Sequence, residues 1–201
     1  MIEETKTQPE LSQNPNQKQS VGAFVWDLFK ILIVALLIIV PFRAFIAEPF
    51  VVSGSSMLPN YHNRDYLIID RFSYRKGSPE RGDVVVLKFP KDPSQYYIKR
   101  IIGLPGERVS FDQGSVVVFN QANPNGFKLS EPYLKSSSET FGKNQESVLG
   151  EGQYFVLGDN RTASSDSRVW GILPKEDIVG KVWVRVFPVK DFGVFQEPVY
   201  N

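Results

Sequence analysis

The chain has 201 residues, 42% of them hydrophobic, enough for one anchor and one domain with its own core but not for a second large domain. A formal net charge of +1, with no long cluster of Lys and Arg, gives no electrostatic footprint for nucleic acid. The absence of cysteine excludes a disulfide framework, a thiolate nucleophile and Cys-ligated zinc. The single histidine, His62, excludes a His-rich metal cluster, and no cofactor is expected.

Residues 1–22 are predicted to form a disordered tail, because Met1 to Ser20 are polar, rich in Gln, Asn, Glu and Pro, and lack an apolar period. From Ala23 to Ala47 the composition turns apolar, with an uninterrupted core from Ile31 to Phe42, and this segment is predicted to be a transmembrane anchor. A spanning helix needs roughly 20 apolar residues for a hydrocarbon layer of about 30 Å. That length is reached if Lys30 and Arg43 snorkel to opposite interfaces, with Trp26 at headgroup depth. A cleaved signal peptide is the main rival. A cut after Ala47 would put Phe45 where a small residue is wanted and Pro49 just beyond the bond, so the retained anchor is preferred. A buried helix of a soluble protein is the remaining alternative. Lys6, Lys18 and Lys30 on one side and Arg43 and Arg64 on the other leave the orientation open.

Residues 48–201 read as a mainly β domain, with short β-type runs separated by Gly, Pro, Asn and Asp. Strands are predicted at Tyr66–Asp70, Asp83–Phe89, Tyr96–Ile102, Ser115–Phe119, Tyr154–Leu157 and Lys181–Phe187. Asp112-Gln113-Gly114 predicts a hairpin turn joining Val109–Phe111 to Ser115–Phe119. The stretch 121–152, rich in Asn, Ser, Gly and Glu, predicts a loop-rich excursion.

A serine hydroxyl is a weak nucleophile until a neighbouring base takes its proton. Ser53, Ser55 and Ser56 sit just past the anchor. Taken alone they suit a linker, but Met57-Leu58-Pro59 is apolar and stiff where a linker would stay polar. His62 lies in a polar, turn-like stretch beside Asn and Arg and reads as a solvated surface residue. Lys99 is the better base. Strand alternation puts it on one face with Tyr97 and Ile101, and Arg100 on the other with Ile98 and Ile102. A lysine stripped of water loses its proton more readily, whereas arginine keeps its own. A strand lysine that merely faces solvent is the plain alternative. In Gly158–Gly171, reading GDNRTASSDSRVWG, Gly158-Asp159-Asn160 forms a credible tight turn and Asp166 can pair with Arg168. The loop is either only well stitched or orients a neutral lysine through Ser164 or Ser165, and spacing leaves both open.

These residues together resemble the type I signal peptidases, membrane-anchored Ser/Lys proteases that remove signal peptides during export. Four motifs match in order: EPFVVSGSSMLP, RGDVVVLKFP from Arg81, YIKRIIGLPGE from Tyr97, and GDNRTASSDSRVWG; SEPYL at Ser130–Leu134 matches as well. The resemblance implies Ser56 as nucleophile, Lys99 as general base, Ser164 bonding to the lysine, and Asp166 with Arg168 as a supporting ion pair. It implies an antiparallel β-sheet catalytic domain of the signal-peptidase type behind one transmembrane helix, single-pass in a bacterial inner membrane, with the domain on the extracytoplasmic face. Expected partners are the lipid bilayer and the signal peptides of exported preproteins, cut after small residues, and no nucleic acid. An extended substrate would lie beside strands of the site, with Val51, Val52, Met57 and Tyr97 as candidate lining residues. Ser56 and Gly54 occupy the oxyanion positions. Some members carry a serine at the position of Gly54, which has no hydroxyl, so another group must supplement the Ser56 amide. The family usually has Thr where this chain has Asn60, expected here to be a surface change.

Three competing readings remain. A soluble self-cleaving regulator could use the same Ser/Lys chemistry, but the anchor and the last motif disfavour it. Ser73 and Lys76 have the spacing of penicillin-binding active sites but lack the matching downstream motifs. A membrane-tethered β adaptor would keep the motifs for structure alone, against which the intact Ser56 and Lys99 argue.

Overall fold

The computed structural model describes residues 21–45, 47–135, 138–142 and 146–194. The expected disordered tail, Met1 to Ser20, lies outside the described residues. Helix α1, Val21–Phe45, covers most of the predicted anchor. Within it, Val21–Val40 has a mean hydropathy of 2.6 and none of that span is buried. A helix apolar on all sides with no buried residue in that span suits a lipid environment. Lys30 pairs with Asp27 at 2.9 Å, so the charge that interrupts the apolar run is balanced one turn away. The Lys30 amine lies 5.9 Å from the Trp26 ring centre. The Arg43 side chain lies outside what is described.

The second unit, which begins at Pro41, is built on two antiparallel sheets. Its strands in chain order are β1 (Ala47–Val51), β2 (Tyr66–Asp70), β3 (Val84–Phe89), β4 (Asp92–Gly103), β5 (Arg108–Asp112), β6 (Ser115–Phe119), β7 (Phe127–Lys128), β8 (Glu146–Val148), β9 (Gln153–Leu157), β10 (Leu173–Pro174), β11 (Ile178–Phe187) and β12 (Gly193–Val194). The larger sheet runs β1-β2-β11-β3-β4-β9-β10, with β12 added to β11, and the smaller runs β7-β6-β5-β8. The mainly β expectation and each predicted strand are present. Strand β1 was not predicted, because Glu48 and Pro49 weaken its β signal and it survives as an edge strand.

The excursion at 121–152 is more ordered than its composition suggests. It supplies β7 and β8, which pair with β6 and β5 and complete the smaller sheet. The β5–β6 hairpin closes through Gln113 and Gly114, both at positive φ, the backbone that a two-residue turn between twisted strands requires.

Strand β4 organises the domain. It pairs with β3 from Tyr96 to Arg100 and with β9 from Arg100 onward, and its alternating residues enter different core clusters. Tyr97 and Ile101 pack with Val85, Leu87 and Trp170, Ile98 packs with Val52, Met57 and Val86, and Ile102 joins Val109, Val118 and Phe155. Register shifts in β11 turn Arg185 inward, where it pairs with Asp65 at 3.1 Å and lies over the Tyr61 ring. Ile101 is fully buried at the junction of β4 and β9. Ile101→Ala is expected to cost about 2–5 kcal/mol, read as a drop in the unfolding midpoint of the purified protein in detergent.

Candidate active site

Beyond β1 the chain turns sharply and is stapled to itself. Val52 N–H donates to the Asp65 carbonyl at 2.9 Å, Arg64 N–H to Val52 at 2.8 Å and Tyr61 N–H to Met57 at 3.0 Å. Gly54 sits at φ +99, a conformation that favours glycine, and its N–H donates to Asn63 Oδ1 at 3.0 Å. Met57 is 1% exposed and plugs the core under the turn, which leaves Ser56 facing the cleft. The expectation that Met57 lines a substrate cleft is therefore corrected: it anchors the turn from beneath. The Gly54 N–H is likewise committed to Asn63, so its part is to shape the turn. The Ser56 N–H has no acceptor among the described residues.

The structure brings Lys99 to Ser56. The Lys99 Nζ lies 3.0 Å from Ser56 Oγ, donates to the Ile98 carbonyl at 2.8 Å, and stands 5.1 Å from the Tyr97 ring centre. Lys99 is 3% exposed. Burial pushes its amine down from the ordinary 10.5 to about 8, against the opposing pull of the Asp166 and Asp159 carboxylates. That pull is blunted because both carboxylates are paired. Asp166 accepts from Arg168 Nε and Nη2, each at 2.8 Å, and Asp159 accepts from Arg100 Nε at 2.8 Å and Nη2 at 2.7 Å. Arg100, on the opposite face of the strand from Lys99, therefore serves the site from behind.

The GDN turn holds these parts together. Asn160 N–H donates to the Ser56 carbonyl at 3.0 Å and its Nδ2 to the Ser55 carbonyl at 3.1 Å. A Cβ on Gly158 would lie 2.5 Å from the Ser56 carbonyl oxygen and would clash with Ser164 Oγ, so only glycine fits between them. The Gly158 N–H donates to Asp166 at 3.0 Å. Among the described residues the Ser164 hydroxyl is buried without a hydrogen-bond partner, and Ser165 lines the cleft with Lys99. The expected bond from Ser164 to the lysine is not formed in this arrangement.

A cleft of about 220 Å³ runs up to Ser56 and Lys99, lined by Phe50, Val51, Val52, Leu67, Val86, Tyr96, Tyr97 and Ile98 among others. Of the expected lining residues, Val51, Val52 and Tyr97 are there. Phe50 and Tyr96, whose rings approach to 5.6 Å, were missed with β1, although Phe50 and Val52 already show the spacing of one strand face. Strand β1 is an edge, and β4 before Arg100 has only β3 beside it, so two open strand edges flank the cleft. Asn60 is not the expected surface change but half-buried and bonded. His62 is exposed, as expected. The Ser73 hydroxyl is bonded to Asp70, which leaves the Ser73–Lys76 spacing as a helix-end feature. No group of metal-ligating side chains occurs among the described residues.

A family model described as "Signal peptidase, peptidase S26" matches residues 25–187. The chain is 36% identical over 192 residues to the protein named "Probable signal peptidase I-2" of Synechocystis sp., across 92% of this chain and 84% of the other. It is 36% identical over 166 residues to signal peptidase I of Bacillus caldolyticus, across 80% of this chain and 90% of that one. A crystal structure of a signal peptidase I from Enterococcus faecalis shares 33% identity, with a TM-score of 0.44 over 53% of this chain and 97% of its own. The chain belongs to the signal peptidase family, peptidase S26, and its function is that of a type I signal peptidase.

The pairing of Asp166 with Arg168 has a measurable consequence. Arg168→Gln is expected to expose Lys99 to the full Asp166 charge and raise the amine above about 8. The acid limb of precursor cleavage would then move to higher pH, whereas an unmoved limb would mean that Arg168 does not screen the carboxylate.

Proposed function

We propose that this signal peptidase is a serine endopeptidase working through a Ser56–Lys99 dyad. The observation that carries the reading is the contact of 3.0 Å between the Ser56 hydroxyl and an amine that is 3% exposed. A neutral amine that gives one N–H to the Ile98 carbonyl has its lone pair free for the serine proton. Lys99 takes that proton as Ser56 Oγ attacks the carbonyl carbon before the scissile bond, and the Ser56 N–H stabilises the oxyanion. Collapse of the tetrahedral species breaks the C–N bond, and the Lys99 ammonium returns its proton to the departing amine. Water, deprotonated by Lys99, then cleaves the ester, releases the signal peptide as a carboxylic acid and restores the serine. Asp166 and Arg168 act as supports behind the amine.

The substrate is the end of a signal peptide on an exported preprotein, extended between the open edges of β1 and β4 by strand addition. Val51, Val52 and Tyr97 line its path, and the confined apolar cleft suits small residues before the cut. Residues 23–47 cross the lipid bilayer once, and the residues from 48 onward form the peptidase domain on the extracytoplasmic face of a bacterial inner membrane. The length and hydropathy of α1 support the crossing, and the family resemblance supports the orientation.

Cleavage of a secretory precursor by the purified protein tests the dyad. Ser56→Ala and Lys99→Met are expected to lower the rate by at least about 100-fold, and either variant at wild-type rate would remove the assignment. Wild-type activity should rise with pH through a midpoint near 8, and a midpoint near 10 would mean a hydrated Lys99. Between about 8 and 10.5 the unfolded chain binds more protons than the folded one, so the Lys99 contribution makes stability rise with pH there. Below that window the full penalty, roughly 3 kcal/mol, is present. Lys99→Met is therefore expected to melt no lower than wild type at pH 7 while being inactive.

A further inference from the structure

The Ser56 turn is held to the Lys99 strand by more than the core beneath it. Asn60 ends the turn and is half-buried, and its Nδ2 donates to Asp159 Oδ2 at 2.8 Å and to the Tyr133 carbonyl at 3.0 Å. Both partners are acceptors, so only the two hydrogens of an amide nitrogen satisfy them together. The backbone carbonyl of Asn60 in turn accepts from Arg185. Asp159 is buried and binds Arg100 through both its oxygens, and Arg100 follows Lys99 directly in β4. The same residue lies between Gly158, packed against the Ser56 carbonyl, and Asn160, which donates to it. Arg100 also stacks on the Tyr133 ring at 3.9 Å, so both Asn60 bonds go to residues whose side chains touch that guanidinium.

The geometry points to Asn60 as a positioning residue for the reaction: its side-chain amide ties the nucleophile turn to the buried Asp159–Arg100 pair and so fixes Ser56 Oγ against Lys99 Nζ. Residue 60 touches neither reacting atom. It acts by limiting how far the turn can drift from β4, and misplacement by about 1 Å can cost on the order of 100-fold in rate. A hydroxyl has one hydrogen to give and can keep one of the two bonds, so Thr at this position should hold the turn only in part.

The inference rests on the Ser56–Lys99 reading, and the test separates the two. Purified full-length Asn60→Ala and Asn60→Thr are compared with wild type for kcat, KM and melting temperature on one precursor, with Ser56→Ala as reference. Asn60→Ala is expected to lose about 10–100-fold in kcat with KM within about twofold, and Asn60→Thr to recover part of that loss. A merely structural role would lower the melting temperature and leave kcat per folded molecule unchanged. That outcome, a loss confined to KM, or Asn60→Thr no better than Asn60→Ala would overturn the proposal. Should Asn60→Ala not fold, Asn60→Thr decides alone: a kcat reduced about threefold or more at constant KM supports the tie, and wild-type kcat refutes it. An active Ser56→Ala would instead remove the dyad reading itself.

Discussion

The domain is arranged around one costly placement, a lysine amine held out of water against a serine hydroxyl. Lys99 keeps 3% of its surface, and its amine falls to about 8 because burial outweighs the pull of the Asp166 and Asp159 carboxylates. A shift of that size corresponds to roughly 3 kcal/mol, a large share of the stability of a domain this small. It is sustained because β4 is paired with β3 at Lys99 and with β9 from Arg100 onward, and because apolar residues pack on both of its faces. The strand cannot rotate the amine toward solvent without breaking that packing.

Desolvation alone would not suffice next to acidic residues. Asp166 and Asp159 both pull the amine back toward its charged form, and each is neutralised by an arginine bound through two nitrogens. The two ion pairs therefore do more than stitch loops together. They leave burial as the dominant influence on Lys99, and one of them, through Asp159, also accepts a hydrogen bond from Asn60 in the turn that carries Ser56. Arginine suits this role because its planar guanidinium stays charged when buried and matches a carboxylate at two points.

The cleft follows from the same arrangement. Because β1 is an edge and the first half of β4 is paired on one side only, two strand edges stay open on either side of the route to Ser56. Edges left bare in this way invite an extended chain. Short strands from the 121–152 excursion give the smaller sheet its outer members, so a segment whose composition reads as loop is held by pairing with β5 and β6. Such two- and three-residue strands carry too little pattern to be read from a sequence, since their stability comes from the partner they meet.

The amino-acid order by itself determined the apolar helix, the strands with Val- and Ile-rich runs and the two-residue hairpin turn, while its resemblance to the family's motifs pointed to Ser56 and Lys99. Each rests on short-range pattern: periodicity, turn residues, or a motif of fixed spacing. Tertiary structure alone decided that Met57 plugs the core and does not line the cleft, that the Gly54 amide is spent on Asn63, and that Asn60 is tied to Asp159 and Tyr133. It also decided that Ser165 rather than Ser164 opens onto the cleft. Those outcomes depend on which segments meet: Gly54 against Asn63, Met57 against the core strands, and Asn60 against Tyr133 and Asp159. Contacts across such separations leave no local periodicity to read, because they are set by strand register and core packing.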